Sequence, residues 1–497
     1  MTTLNTHPMF ELVQRFADRM LAVGRGHVND EQSPLFAGVI DVGTAQPQTA
    51  MTAPPPGIRV GDFNWCGNNM MHDVPLLEIL NTLTQLTDDD QYAQAADDAL
   101  AYYGKHCPHP ESGLFPWGEH AQWSFADRKP LPCSFTHGLA HFLENNYMIH
   151  DHLRFAPGWF WEGIWKHTPD AVVNFARGLD HHIVNRKTHE HNRHGAMTSK
   201  WWRDPDNPDN GPGKDFARHS GFFIYDCLFA YAKSGKRDLL DWARRRLKWH
   251  YDQRLDNGLV RGCVRTPAYQ QENQHDSLAL CVDDAAKLLE ADEAGVKFAA
   301  YARELFDTCA TVRPTQPLPT PDKSGEPKDP RIWLDGYMAK PPFKLVPANA
   351  YHDIHTRTGI QWYADAVVET SAWLAAHLPD PPAGVPVLAR RFRLFMEIGL
   401  SAYAISGDRA HLQFARRIAE LAERDLWRND LLLGHSNQCW VWRTSNGEYH
   451  QNPWTEPNTP GFYHSVTGTA SLARCILRLA LFDQEHEDVL GIDPHWR

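Results

Sequence analysis

Long apolar runs are missing from this chain. Nowhere does it approach the ~18–20 consecutive apolar residues of a membrane-spanning helix, so no membrane partner is expected. A basic excess is missing too. The 497 residues carry 49 Lys and Arg against 61 Asp and Glu, a net charge of −12. That is the reverse of a nucleic-acid binder's footprint. The nine cysteines are odd in number, scattered, and include no Cys-x-x-Cys. Reduced thiols of a cytoplasmic protein fit that pattern better than a disulfide framework. Met1 to His7 shows neither a basic head nor an apolar run, which points to the same compartment. Alternating strand patterns are almost absent, and this excludes an all-β class.

Helical periodicity fills the chain instead. Phe10, Val13, Phe16, Met20 and Leu21 mark a first amphipathic helix. Leu76 to Leu86 and Tyr92 to Tyr103 mark a pair across an Asp-rich turn. Pairs follow at 216–232 with 239–251, 277–289 with 296–309, and 390–405 with 410–426. Twelve to fourteen helices in repeated hairpins predict a repeat architecture. A closed α/α toroid of six or seven hairpins is favoured over an open solenoid, because no polar capping repeat is evident. We expect one domain over 1–497. Its one long irregular insertion, 313–350, holds nine prolines with Trp333 and Tyr337, and reads as an ordered lid over a substrate cleft.

Two residue types are abundant: 28 His and 18 Trp. Thirteen of those histidines lie between His106 and His194. Neutral imidazole is the commonest metal ligand and a common proton carrier. Within this window stand Trp117-Gly118-Glu119-His120, His150-Asp151-His152, and Asn192-Arg193-His194-Gly195. Two or three imidazoles with a carboxylate suit Mn2+, Zn2+ or a similar divalent ion better than Ca2+. Thr168-Pro169-Asp170 starts a helix expected to end near 184–186, leaving His189 to His194 in the following loop. His181-His182 reads as a pair favoured by that helix's C-terminal dipole. Arg177, Arg186, Lys187, Arg193, Lys200 and Arg203 outnumber the nearby acids, and could meet an anionic substrate. Trp117, Trp123, Trp201 and Trp202 adjoin the polar motifs and are the candidates for sugar stacking.

Glu111-Ser112-Gly113-Leu114 followed by Trp117-Gly118-Glu119-His120 resembles a segment of the family 2 pectate lyases. The run from Pro157 to Arg193-His194-Gly195 is similar to a second segment of that family. The resemblance implies an α/α toroid and a divalent metal, typically Mn2+, held by His120, His194 and an acidic residue. It also implies Arg193 as Brønsted base. The family's His-Glu-Leu stands here as His150-Asp151-His152-Leu153, so the third ligand is Asp151 or His152. The implied reaction is β-elimination in a uronic-acid saccharide. There a Lewis acid neutralises the carboxylate, and a base removes the adjacent proton. An arginine base conflicts with its usual pKa above ~12; His191 or Tyr449 is chemically easier. Lys200, Trp201, Arg203, Trp333 and Tyr337 complete the expected substrate contacts. An unsaturated glucuronyl hydrolase acting through Asp73, Asp151 or Asp215, a sugar epimerase, and a non-catalytic scaffold are the competing readings.

Overall fold

The structure, a computed structural model, describes residues 7–28, 31–48, 67–118, 121–132, 149–198, 215–262, 273–290, 292–319, 330–333, 345–381, 387–436, 441–443, 449–451 and 461–484. Fourteen α-helices lie among them. The first three are α1 (Pro8–Val23), α2 (Met70–Thr87) and α3 (Asp90–His106). Two short ones follow, α4 (Gly158–His167) and α5 (Pro169–Gly178). Then come α6 (Ala217–Ser234), α7 (Arg237–Asp252), α8 (Asn273–Leu288), α9 (Glu293–Val312), α10 (Ala348–Thr358) and α11 (Gln361–His377). The series ends with α12 (Ala389–Ser406), α13 (Arg409–Leu426) and α14 (Thr469–Asp483). None is long and apolar enough to cross a membrane.

The expected hairpins form within a few residues of their predicted bounds. Their turns are set by local chemistry. Gly235 and Gly407 adopt φ of +69° and +68°, and their N–H groups close the last turns of α6 and α12 onto Tyr231 O and Tyr403 O. A left-handed residue at that place favours glycine, because a Cβ would crowd the carbonyl. Asp292 and Asp408 then accept from Ala294 N and Ala410 N, starting α9 and α13.

Packing separates the helices into two layers and closes them into a toroid. The even-numbered α6, α8, α10, α12 and α14 each touch the next, and α14 touches α2. Their odd-numbered partners α7, α9, α11 and α13 pack outside. Burial follows this division. Every residue of α14 from Thr469 to Phe482 is buried, whereas α13 buries one stripe from His411 to Leu426 and leaves the rest wet. A helix apolar on all sides belongs inside; an amphipathic one belongs at the surface. The closure between α14 and α2 carries a bidentate ion pair. Arg474 Nε and Nη2 donate to the two Glu78 carboxylate oxygens at 2.7 and 2.9 Å.

Few strands accompany the helices: among the described residues they form seven sheets of two or three strands in the loops. Two expectations are corrected here. The helix from Pro169 ends at Gly178, passes through a 3-10 turn at Leu179–His182, and enters a strand at Ile183–Asn185. Its buried stripe of Val172, Ala176, Leu179 and Ile183 is as read; β-branched Ile183 and Val184 favour the extended form. Trp333 is core, not lid. It is fully buried against Phe392 and Phe395, and its Nε1 donates to Pro379 O at 2.8 Å. Tyr337 and most of the remaining insertion lie outside the described residues.

Candidate active site

The site is built on one of the small sheets. Strand Ile149–Asp151 runs antiparallel to His194–Ala196, with Asp151 opposite His194 and His150 opposite Gly195. Asp151 N also donates to Trp117 O at 3.1 Å. The three sequence motifs therefore meet edge to edge. Gly118 allows this contact. Its φ is +102°, and a Cβ there would stand 1.8 Å from Asp151 O.

Successive side chains on a strand point to opposite faces, and this pleat decides which residue joins the site. Asp151 faces the cluster. Its buried carboxylate has Arg193 Nη1 at 3.2 Å, His194 Nε2 at 3.6 Å and His219 Nε2 at 3.6 Å. Burial alone would raise the Asp151 carboxyl. Arg193, His194 and His219 outweigh it and hold the group well below the usual carboxylate range. Arg193 and His194 form the solvent edge, with side chains 17% and 14% exposed.

His152 faces the other way and is no partner of His194. Its Nε2 lies 2.9 Å from Asp226 Oδ2 on α6, and Trp161 Nε1 donates to Asp226 Oδ1 at 2.8 Å. Phe175, Phe222 and Phe223 surround its ring. Of the two candidates for the acidic position, the geometry retains Asp151 and removes His152. His191 is likewise interior. It is fully buried, with Nε2 3.3 Å from Ser220 Oγ, and Ser220 also contacts His250 Nε2 at 2.6 Å. Burial, then the Arg246 charge, holds His191 well below its ordinary range. Trp117 and Trp123 are 2% and 3% exposed. Trp117 packs on Phe160 and His152, and Trp123 on Tyr102; neither is a sugar platform. His120, Lys200, Trp201, Trp202 and Arg203 lie outside the described residues. So does the side chain of Tyr449, whose backbone sits in strand Tyr449–Gln451.

His219 was not singled out from the sequence. It sits in the first turn of α6, and its only sequence signal is a place at a helix start. The same holds for His72 in the first turn of α2. Burial, then Arg154, His464 and Arg390, pushes His72 well below its ordinary value. The N-terminal ends of α2, α6 and α12 thus bring His72, Arg218, His219 and Arg390 to one end of the ring, beside Arg154 and Arg193. Helix N-termini and guanidinium groups both favour anions.

Donors sharing one ion at ~2.1 Å stand about 3.0–3.4 Å apart. The two Asp151 contacts with His194 and His219 come close to that spacing. Among the described residues, no group of three His, Cys, Asp or Glu side chains is arranged to hold an ion. The donor chemistry of Asp151 and His194 fits a divalent ion, and completing its shell calls for a further ligand such as His120.

The ring of paired helices carries a cationic, histidine-rich cluster at one end, and the family match places it in the class of enzymes acting on carbohydrate. The sequence model of the family described as periplasmic pectate lyase matches residues 33–282, which is 250 of 497 residues. The chain belongs to that family. Among solved structures it is similar to a sugar epimerase from a ruminal bacterium, at 10% identity and TM-score 0.41, over 95% of this chain and 98% of that one. It is also similar to an α-1,6-mannanase of a Salegentibacter species in complex with α-1,6-mannotetrose, at 12% identity and TM-score 0.40, over 96% and 100%. Cellobiose 2-epimerase of Bacillus thermoamylovorans gives 11% identity and TM-score 0.37, over 93% and 99%.

The cytoplasmic expectation is overturned by the match to a family described as periplasmic. The cysteines could not have decided the matter. Cys107, Cys227, Cys281, Cys309 and Cys475 are all buried and unbridged, and buried thiols are inert in either compartment.

Proposed function

We propose that this enzyme cleaves a uronic-acid-containing poly- or oligosaccharide by metal-assisted β-elimination. One observation carries the reading. Arg193 and His194, adjacent in sequence, both turn back onto the same buried carboxylate, Asp151, at the solvent edge. Asp151 and His194, with His120, would hold a divalent ion, Mn2+ by the family resemblance. Such an ion supplies Lewis-acid neutralisation of the substrate carboxylate.

The chain's own groups do the rest. Arg193, partly exposed, presents its guanidinium fork to the carboxylate of the reacting sugar and orients it. Its contact with Asp151 stabilises the charged guanidinium, so Arg193 serves better as a clamp than as a base. Burial tells against His191 as a base, and Tyr449 is the proton acceptor of this proposal. Arg154, Arg218 and Arg390 favour an acidic saccharide over a neutral one. Of the acids the hydrolase alternative would use, Asp73 accepts from Asn68 Nδ2 at 2.5 Å and Asp215 from Trp249 Nε1 at 3.0 Å, both buried.

The test is an absorbance assay on pectate, other polyuronates and their oligomers, with and without chelator. Elimination creates a conjugated double bond and raises ultraviolet absorbance; hydrolysis does not. Arg193→Lys keeps the charge and loses the fork. It should raise KM about 10-fold with a smaller change in kcat. Asp151→Asn should abolish activity and lower bound metal. Full activity in Arg193→Lys on a uronate substrate would refute the assignment.

A further inference from the structure

The tandem His181-His182 does more than complement a helix end. Its rings reach across to the two main-chain carbonyls that bracket the Arg193-His194 edge. His182 Nδ1 lies 2.9 Å from Asn192 O, and His181 Nδ1 lies 2.8 Å from Ala196 O. A carbonyl can only accept, so both Nδ1 atoms carry the proton. In neutral His182 the Nε2 atom is then bare. It lies 2.7 Å from His150 Nδ1, which must donate to it. The relay thus has one direction: His150 Nδ1–H to His182 Nε2, and His182 Nδ1–H to Asn192 O.

Asn192 is gripped at three of its polar atoms. Its N–H donates to His182 O at 2.8 Å, its carbonyl takes the His182 ring, and its Oδ1 accepts from His194 N at 3.2 Å. Arg193 is the one residue between these anchors. At the other end of the relay, His150 is bonded in sequence to Asp151. We infer that His181 and His182, with His150 behind them, are positioning residues that hold Arg193 and His194 in register with Asp151. Partners of this kind behind metal ligands affect metal affinity or activity by about 10–100-fold.

The inference deepens the lyase reading and rests on it for its kinetic arm. Three variants separate the links. His182→Leu removes both bonds. His182→Asn keeps a donor near the Nδ1 position for Asn192 O. His150→Phe leaves His182 in place and removes only its donor, so it stands in should His182→Leu fail to fold. Each is compared with the wild-type full chain for thermal midpoint, Mn2+ affinity by titration calorimetry, and kcat and KM. We expect His182→Leu and His150→Phe to lose about 10-fold or more in kcat and Mn2+ affinity, with His182→Asn recovering part of the loss. In an Arg193→Ala background the His182→Leu loss in kcat should shrink to within about 2-fold, since residues acting through one another are non-additive. Wild-type Mn2+ affinity in His182→Leu and His150→Phe, or full additivity with Arg193→Ala, overturns the inference. If the wild type eliminates no uronate, the lyase reading fails, while the Mn2+ titrations still decide whether the relay positions the site.

Discussion

Gly118 shows how narrowly a single residue can set the site. Its backbone is in a region that L side chains rarely adopt, and its missing Cβ would fall on the Asp151 carbonyl. Gly118→Ala must therefore both strain φ, at about 1–3 kcal/mol, and push back the strand that carries Asp151. We expect at least a 10-fold loss in kcat/KM and a lower Tm, measured by the absorbance assay and by calorimetry. An alanine variant with unchanged kcat/KM would show that this contact does not fix Asp151. Much at this scale was legible. Arg193, His194 and Asp151 were picked out by local motifs, because residue type alone carries their chemistry. His219 was not, since it reaches Asp151 from 68 residues further along, and no local pattern marks it. Nor was the true orientation of His152. Three residues of strand are too few to show alternation, yet that pleat decides which side chain faces the cleft.

Helices were readable and sheets were not, for a physical reason. A helix of 16–18 residues repeats its buried stripe four or five times, and a two-residue strand never repeats at all. The expected hairpins therefore stand, while the strands joining the site emerge only from tertiary pairing. Aromatic residues misled for a related reason. Trp117, Trp123 and Trp333 were valued for their neighbours in sequence, but each indole buries a large apolar surface that the core claims first. Between elements, the contact easiest to test is the ring closure of α14 on α2. Glu78→Gln keeps the shape but strips the charge facing buried Arg474. Breaking one side of a buried ion pair costs about 3–5 kcal/mol. Partial exposure of Glu78, 16%, places the expected loss at the lower end. Denaturant unfolding of Glu78→Gln should show it, and a change under 1 kcal/mol would mean the closure rests on apolar packing alone.

Over the whole molecule, the buried histidines make stability depend on pH. Burial pushes His182, His189 and His464 each down to about 3. In the unfolded chain they titrate near 6.5. Between those values the unfolded state binds more protons, so stability rises with pH across the window. The contribution is complete above about pH 6.5 and is lost as pH falls. Starting at the unfolded pKa, one histidine costs about 1 kcal/mol between pH 6.5 and 5.5, so three cost about 3 kcal/mol over that step. That is a large share of a typical total of 5–15 kcal/mol. Scanning calorimetry at pH 7.5, 6.5 and 5.5 should show Tm nearly level over the first step and falling clearly over the second. A level Tm down to pH 5 would contradict the burial of these rings in neutral form.

The Glu78–Arg474 contact also orders events in time. It joins residues 396 apart, and at ~5–20 residues per second the ribosome needs about 20–80 s to pass from one to the other. Throughout that interval α2 has been made and α14 has not, so the ring stands open and its inner wall faces solvent. Contacts of such long range also fold slowly. The toroid thus depends on whatever shields an apolar surface during synthesis, and its last inner helix converts an open, adhesive intermediate into a finished molecule.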